Sequence, residues 1–298
     1  SGIRDRFDVE TSELDITLVR HFKYFTKFKL SLGLILLLIN SRNTFDILHC
    51  NGIWNFISLV TAIFCRIFNK KFVISTRGMA SILSVSRSRS RLNYFRFIQR
   101  RILNSADFIH VTSELEKQDL VNLSIETRIV ISPNGLDSFP SIDFYQAQKA
   151  KSNENIIVFV GRICKFKNVD KLITAFSSLP AVYSCWKLVV AGPVEDEHLY
   201  KEIIESSEFL RESHRISFTG NLDHHELSML YSKASLLVCC SDSENFGLSI
   251  VEALSFGVPA ICPNLSIWSD YNKAVLIPVD PDTESIKKGL MTFFSGSI

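Results

Sequence analysis

Two acidic side chains, Glu244 and Glu252, flank a helix start in the stretch from Ser241 to Pro259. The run Leu236–Cys240 before it reads as a buried strand. A polar turn then leads through Gly247 into a helix that Gly257 and Pro259 end. A helix that begins at the carboxyl end of a parallel strand points unpaired N–H groups into the ligand crevice. Such an end suits an anion, a diphosphate above all. Both carboxylates can accept hydrogen bonds from sugar hydroxyls. Glu252 lies among Val251, Ala253 and Leu254, where an unpaired charge is costly. The plainer alternative makes Glu244 a helix cap and Glu252 part of a structural ion pair.

A second stretch, from Phe159 to Asp170, has the same build. The buried run Ile156–Val160 ends in Gly161, and the loop after it carries Arg162, Lys165 and Lys167. Cations at the end of a strand in the same crevice would neutralise a phosphate. A merely solvated basic loop is the commoner arrangement for any one lysine. Against it stands the position of both loops at strand carboxyl ends of one expected sheet.

The elements that must position these residues follow from the apolar pattern. In the second half, strands are expected at Ile156–Val160, Lys187–Ala191, Ile216–Thr219, Leu236–Cys240, Pro259–Cys262 and Val275–Pro278. Helices are expected near 168–179, 197–212, 223–233, 248–256 and 283–294. This alternation predicts a parallel sheet covered on both faces, in agreement with the continuous apolar run Ile156–Val160. In the first half, strands are expected at Asp46–Cys50, Lys71–Ser75, Phe108–Val111 and Arg128–Ile131, with helices at 53–68, 89–104 and near 113–120. The turn Pro133-Asn134-Gly135 leads into the polar stretch 138–154. The expected domains are therefore 1–140 and 155–298, joined by a linker at 141–154. The first domain opens with neither a strand nor a Gly-rich turn and reads as truncated at its N-terminus.

The chain has 298 residues, 46% hydrophobic and 21% charged, which fits two globular domains and excludes wholesale disorder. The net charge of +2 conceals an asymmetry. Residues 1–154 hold 21 Lys and Arg against 14 Asp and Glu, and residues 155–298 hold 12 against 17. The seven cysteines form no C-x-x-C pair and read as buried free thiols in a reducing compartment. No metal site is expected. The longest apolar run, Leu30 to Ile39, is about half the roughly 20 residues that a spanning helix requires. With no leader visible, the expectation is a cytoplasmic protein.

The two site stretches together resemble the family-four retaining glycosyltransferases of the GT-B fold. The resemblance rests on Glu244-x7-Glu252 enclosing Asn245-Phe246-Gly247, and on Gly161-Arg162 followed by Lys167 and by Leu172-Ile173-x-Ala175-Phe176. Ala191-Gly192-Pro193 and Phe218-Thr219-Gly220 continue it in order, so that it covers about 155–280. Upstream, His49-x-Asn51-Gly52-x-Trp54, Arg77-Gly78-Met79, Thr112-Ser113-Glu114 and Pro133-Asn134-Gly135 are similar to bacterial exopolysaccharide and lipopolysaccharide transferases. The resemblance implies an α/β fold of two Rossmann-like domains whose parallel sheets face a cleft. It implies that Arg162 and Lys167 hold the diphosphate of a UDP- or GDP-sugar beside Gly161, with help from backbone N–H groups near Phe246, Gly247 and Leu248. Glu244 would then bind the donor sugar, Glu252 the ribose, and Asn245 would belong to the same donor loop. Glu244, Arg162 and Lys167 are the expected catalytic set. Transfer would retain the anomeric configuration and need no metal. Three departures are visible: Arg77 and Asn51 stand where the family often has His, and Asn168 where Gly is common.

Between Asp46 and Asp107 there is no acidic residue, while ten Lys and Arg fall in that interval, from Arg66 to Arg101. Tyr94, Phe95 and Phe97 interleave with the arginines, as on an amphipathic helix at a membrane surface. The expected partner is the anionic inner face of the plasma membrane, bound peripherally through segment 66–101, with each near-surface cation contributing on the order of 1 kcal/mol. RNA and a covering segment are the alternatives to this partner. No nucleic-acid motif accompanies the charge, and nucleic acid is not expected. His49, Asn51 and Arg77 are candidates for the acceptor side, while His224 and His225 read as surface capping residues. The combined expectation is a hexosyltransferase of cell-surface polysaccharide synthesis that acts on a glycan or lipid-linked acceptor. The alternatives are a nucleotide-sugar epimerase of the same architecture and a catalytically degenerate scaffold that binds membrane or a partner.

Overall fold

The computed structural model describes residues 32–135, 155–264 and 275–296. The expected linker at 141–154 and the chain before Leu32 lie outside the described residues. Two compact units form, one running to Val111 and taking in Glu116–Ser132, the other made of Thr112–Leu115 and the residues from Pro133 onward.

Among the described residues the first unit opens on helix α1 (Leu32–Asn40), which the sequence reading did not anticipate, and continues as β1 (Ile47–Asn51), α2 (Phe56–Ile67) and β2 (Lys71–Ser75). A short helix α3 (Ile82–Ser86), also unanticipated, precedes a long helical run. That run fills the expected 89–104 as α4 (Arg89–Tyr94), a π turn (Phe95–Gln99) and α5 (Arg100–Asn104). β3 (Phe108–Val111), α6 (Glu114–Asn122) and β4 (Ile129–Ile131) complete it. The four strands lie parallel in the order β1-β2-β3-β4. Cys50, Phe72, Ile74, Ile109 and Val111 point to one face and pack in a core with Phe64 of α2 and Leu103 of α5. The opposite face, set by the period-two alternation of strands, carries His49, Ser75 and His110.

The second unit has β5 (Ile156–Val160), α7 (Val169–Ser177), β6 (Lys187–Ala191), α8 (Glu197–Glu205), α9 (Ser207–Glu212), β7 (Ile216–Gly220), α10 (His224–Lys233), β8 (Leu236–Val238), α11 (Leu248–Ser255), β9 (Ala260–Pro263), β10 (Leu276–Val279) and α12 (Thr283–Phe294). The parallel sheet runs in the order β10-β9-β8-β5-β6-β7. Ile157 and Phe159 of β5 enter a core with α7 and α12, while Ile156 and Val158 enter another with α10 and α11. A strand buried on both faces has no polar side, hence the unbroken apolar run in the sequence. The expected pair of Rossmann-like parallel sheets is therefore present.

Three sequence expectations change. The helix expected at 197–212 is two helices, because Ser206 turns extended (ψ 146) and caps the second through its hydroxyl. Asp223, not His224 or His225, caps α10, in a reciprocal box with Glu226, because a carboxylate can accept the N-terminal N–H while the imidazoles lie exposed. The cysteines are all free, but Cys185 is exposed and only the other six are buried. Among the described residues, no helix is long and apolar enough to cross a membrane.

Candidate functional site

The strand order of the second sheet reverses at β5, which pairs with β6 on one side and β8 on the other. In an open parallel sheet the ligand crevice lies outside the carboxyl ends of the strands at such a switch point. The two loops selected from the sequence, 161–168 after β5 and 239–247 after β8, both leave from this point.

Their backbones are fixed before any side chain acts. A Cβ on Gly192, after β6, would stand 2.0 Å from the Gly161 carbonyl oxygen, so the two strand ends approach as only glycine permits. Lys165–Lys167 form one 3₁₀ turn, which Asn168 ends in the left-handed region (φ 53). Asn168 is buried, and its Nδ2 donates to the Cys240 carbonyl (2.9 Å) and to Asp242 Oδ1 (2.7 Å), tying the first loop to the second. Asparagine tolerates this conformation, so a residue other than glycine can end the turn here. Gly247, also left-handed (φ 68), leads into α11 without a side-chain cap. The first N–H groups of α11 therefore lack intrahelical partners.

Lys167 and Glu244 meet across the two loops, Nζ to Oε1 at 2.5 Å, with side chains 15% and 12% exposed. The Ser241 hydroxyl (2.7 Å) and the Cys239 thiol (3.3 Å) donate to the same Oε1. Burial, and then the nearby Glu244 carboxylate, push the Cys239 thiol up to about 12, so it remains a neutral donor. Three donors converge on one oxygen, and Glu244 Oε2 has no partner among the described residues. Glu244 therefore does not cap the helix. Arg162 is exposed and pairs with Glu195, and it shares the Phe166 ring with Lys167, the two cations standing 5.5 and 5.6 Å from the ring centroid. Glu252, half-buried on α11, accepts a hydrogen bond from the Tyr231 hydroxyl at 2.9 Å. Burial and that carboxylate hold the Tyr231 phenol protonated. Phe246 and Asn245 are half-buried and Leu248 is exposed in the same loop.

The three candidates of the first unit sit at strand ends of the other sheet. Asn51 ends β1, and Arg77 reaches its Oδ1 from the loop after β2 (3.4 Å). Buried Glu116 holds that loop, accepting from the Thr76 hydroxyl and the Gly78 N–H. His49 engages Ser75 instead of Asn51 or Arg77. Glu116, Ser241, Tyr231 and Glu195 were not singled out from the sequence, and only Asn168 carried a signal there, as a departure from glycine.

A family model described as "Glycosyl transferases group 1" matches residues 141–297. The chain belongs to this family. A second model, "Glycosyltransferase Family 4", matches residues 8–138. The D-inositol 3-phosphate glycosyltransferase of Mycobacterium sp. (strain KMS) is 32% identical over 172 residues, which cover 55% of this chain and 38% of that protein. Its counterpart in Mycolicibacterium smegmatis is 29% identical over 176 residues, 55% of this chain and 39% of the relative. The match thus spans well under half the length of these curated relatives. Among solved structures, Anabaena Alr3699/HepE in complex with UDP and glucose superposes with a TM-score of 0.76 at 16% identity, covering 97% of this chain and 78% of that one. Sucrose-phosphate synthase from Thermosynechococcus elongatus gives 0.72 at 21% identity, over 88% and 68% of the two chains. These structural neighbours establish the GT-B type of fold for the two parallel sheets.

Proposed function

We propose that this group 1 transferase moves a hexose from a UDP- or GDP-sugar to a glycan or lipid-linked acceptor, with retention of anomeric configuration. The observation that carries the reading is the Glu244 carboxylate, held through Oε1 by Lys167, Ser241 and Cys239 with Oε2 left as an acceptor for a sugar hydroxyl. Lys167 has three N–H donors and gives one to Glu244, so it can serve a phosphate oxygen at the same time. Arg162 and the uncapped start of α11 near Phe246, Gly247 and Leu248 would take the remaining diphosphate charge. Glu252 would accept from the ribose hydroxyls. The bond from the anomeric carbon to the diphosphate oxygen breaks as these groups stabilise the departing anion, and the acceptor hydroxyl attacks from the same face, its proton passing to the departing diphosphate oxygen. In this reading protein cations meet the charge that a divalent metal would otherwise meet, so the reaction proceeds without one. The mycobacterial relatives, which are glycosyltransferases, support glycosyl transfer, and the UDP and glucose of the Anabaena structure support a nucleotide-sugar donor.

The basic surface supports a place for this chemistry in cell-surface polysaccharide synthesis at the cytoplasmic leaflet. Arg89, Arg96 and Arg101 are exposed on the helical run and Arg87 in the turn before it, beside exposed Leu92, Phe97 and Ile98. Arg91 is not part of it, since its guanidinium lies over the Trp54 ring at 4.3 Å.

The test is calorimetric titration with UDP and GDP. One nucleotide is expected to bind, unaffected by EDTA, and Arg162→Ala with Lys167→Ala together should weaken it by about tenfold or more, the scale of a lost charge-assisted contact. Unchanged affinity in the double variant removes the donor-site assignment.

A further inference from the structure

One face of the first sheet carries a chain of hydrogen bonds that the donor site does not use. His49 Nε2 lies 2.6 Å from Ser75 Oγ, Ser75 Oγ 2.7 Å from His110 Nδ1, and His110 Nε2 2.9 Å from the Ser132 carbonyl oxygen. Its polarity can be worked out from the far end. A carbonyl oxygen only accepts, so His110 Nε2 bears the proton, and when the ring carries that one proton its Nδ1 is an acceptor. The single hydroxyl proton of Ser75 must go to that Nδ1. Ser75 Oγ can therefore only accept from His49, and His49 Nε2 is the donor. What remains is His49 Nδ1, a lone-pair nitrogen with no partner among the described residues.

We infer that Ser75 and His110 are positioning residues that hold His49 in its Nε2–H tautomer, so that Nδ1 stands as a fixed acceptor for a hydroxyl of a sugar ring lying on this face. The surroundings fit such a ligand. The two histidines share an open hollow of about 370 Å³ with Ile47, Val73, Phe108 and Val130. Apolar side chains can meet the C–H face of a pyranose while the imidazole takes a hydroxyl. The neutral ring that this requires is favoured here: burial, then His110 of β3 and Arg77 after β2, lower the proton affinity of His49. The choice of a sugar rests on the transferase reading, whereas the tautomer does not.

The test is long-range ¹H–¹⁵N NMR of the histidine-labelled chain at neutral pH, with methyl glucoside, galactoside and mannoside as ligand probes. Both His49 and His110 are expected in the Nε2–H form, with His49 titrating below its ordinary value of about 6.5. Ser75→Ala should convert His49 to a mixture of tautomers, and Ser75→Thr should restore it. A glycoside should shift the His49 signals, and its affinity should fall about fivefold in Ser75→Ala, the scale of one hydrogen bond. A protonated or Nδ1–H His49, or a tautomer unchanged in Ser75→Ala, overturns the positioning role. Signals untouched by every glycoside overturn the ligand assignment. If Ser75→Ala does not fold, His110→Phe breaks the same chain one bond further along and is read in the same way. Loss of nucleotide binding with the tautomer intact would defeat the proposed function and leave the positioning role standing.

Discussion

At the scale of the residue, the donor-side assignment depends on how Lys167 and Glu244 share charge. Both side chains are largely withdrawn from water, so removing either leaves the other buried and uncompensated. Lys167→Met alone should destabilise the second unit by about 3 kcal/mol, the lower end of what a broken buried pair costs. Lys167→Met with Glu244→Leu should recover most of that, since an apolar pair of similar volume is often neutral. Urea denaturation of Lys167→Met, of Glu244→Leu and of the double variant measures the coupling, and additive losses would show that the pair does not act as a unit. Nucleotide binding should be weakened in every variant that lacks Lys167, whether or not stability is recovered, which separates the stabilising role of the contact from its role toward ligand. Glu244 was legible in the sequence because of its place before a glycine-headed helix. Its partner was not, because 77 positions separate the two residues and only the fold brings them together.

At the scale of the element, the loop after β5 holds its shape through Asn168. Asn168→Ala places a Cβ-bearing residue in the left-handed region and removes two hydrogen bonds, for an expected loss of about 2–3 kcal/mol. Asn168→Gly keeps the backbone free and should lose only the hydrogen bonds, about 1–2 kcal/mol. Thermal or urea unfolding gives the order, and equal stability of the Ala and Gly variants would show that backbone conformation is not what the position requires. The strand and helix boundaries around this loop followed from the apolar pattern, an unbroken run for β5, buried on both faces, and a helical period for α7, buried on one. Periodicity also placed the long helix 89–104, but not its π turn at Phe95–Gln99. It passed over α1, where apolar residues occur nearly throughout and no face stands out.

At the scale of the whole molecule, the two sequence halves carry opposite charge, and the excess of cations in the first is only partly used internally. Lys71 pairs with Asp107 and Arg100 with Glu126, while Arg87, Arg89, Arg96 and Arg101 stand exposed. The chain is expected to sediment with vesicles containing phosphatidylserine and not with phosphatidylcholine vesicles, and to be released by salt. Arg96→Glu with Arg101→Glu should abolish the association, and Phe97→Ser should weaken it while preserving its salt dependence. Equal binding of the wild type and the charge-reversed variant would remove the membrane assignment.

What the sequence determined by itself was local. Short unbroken apolar runs marked the strands, glycines marked the turns at their ends, and the order of short motifs marked the family, because each depends on neighbours within a few positions. The tertiary structure decided which ends meet. Pairing of β5 with β8 brings Lys167 to Glu244 and Asn168 to Asp242, and pairing of β2 with β3 brings Ser75 to His110. A parallel sheet sets residues that are far apart in the chain side by side, and no local propensity encodes which of them will face one another.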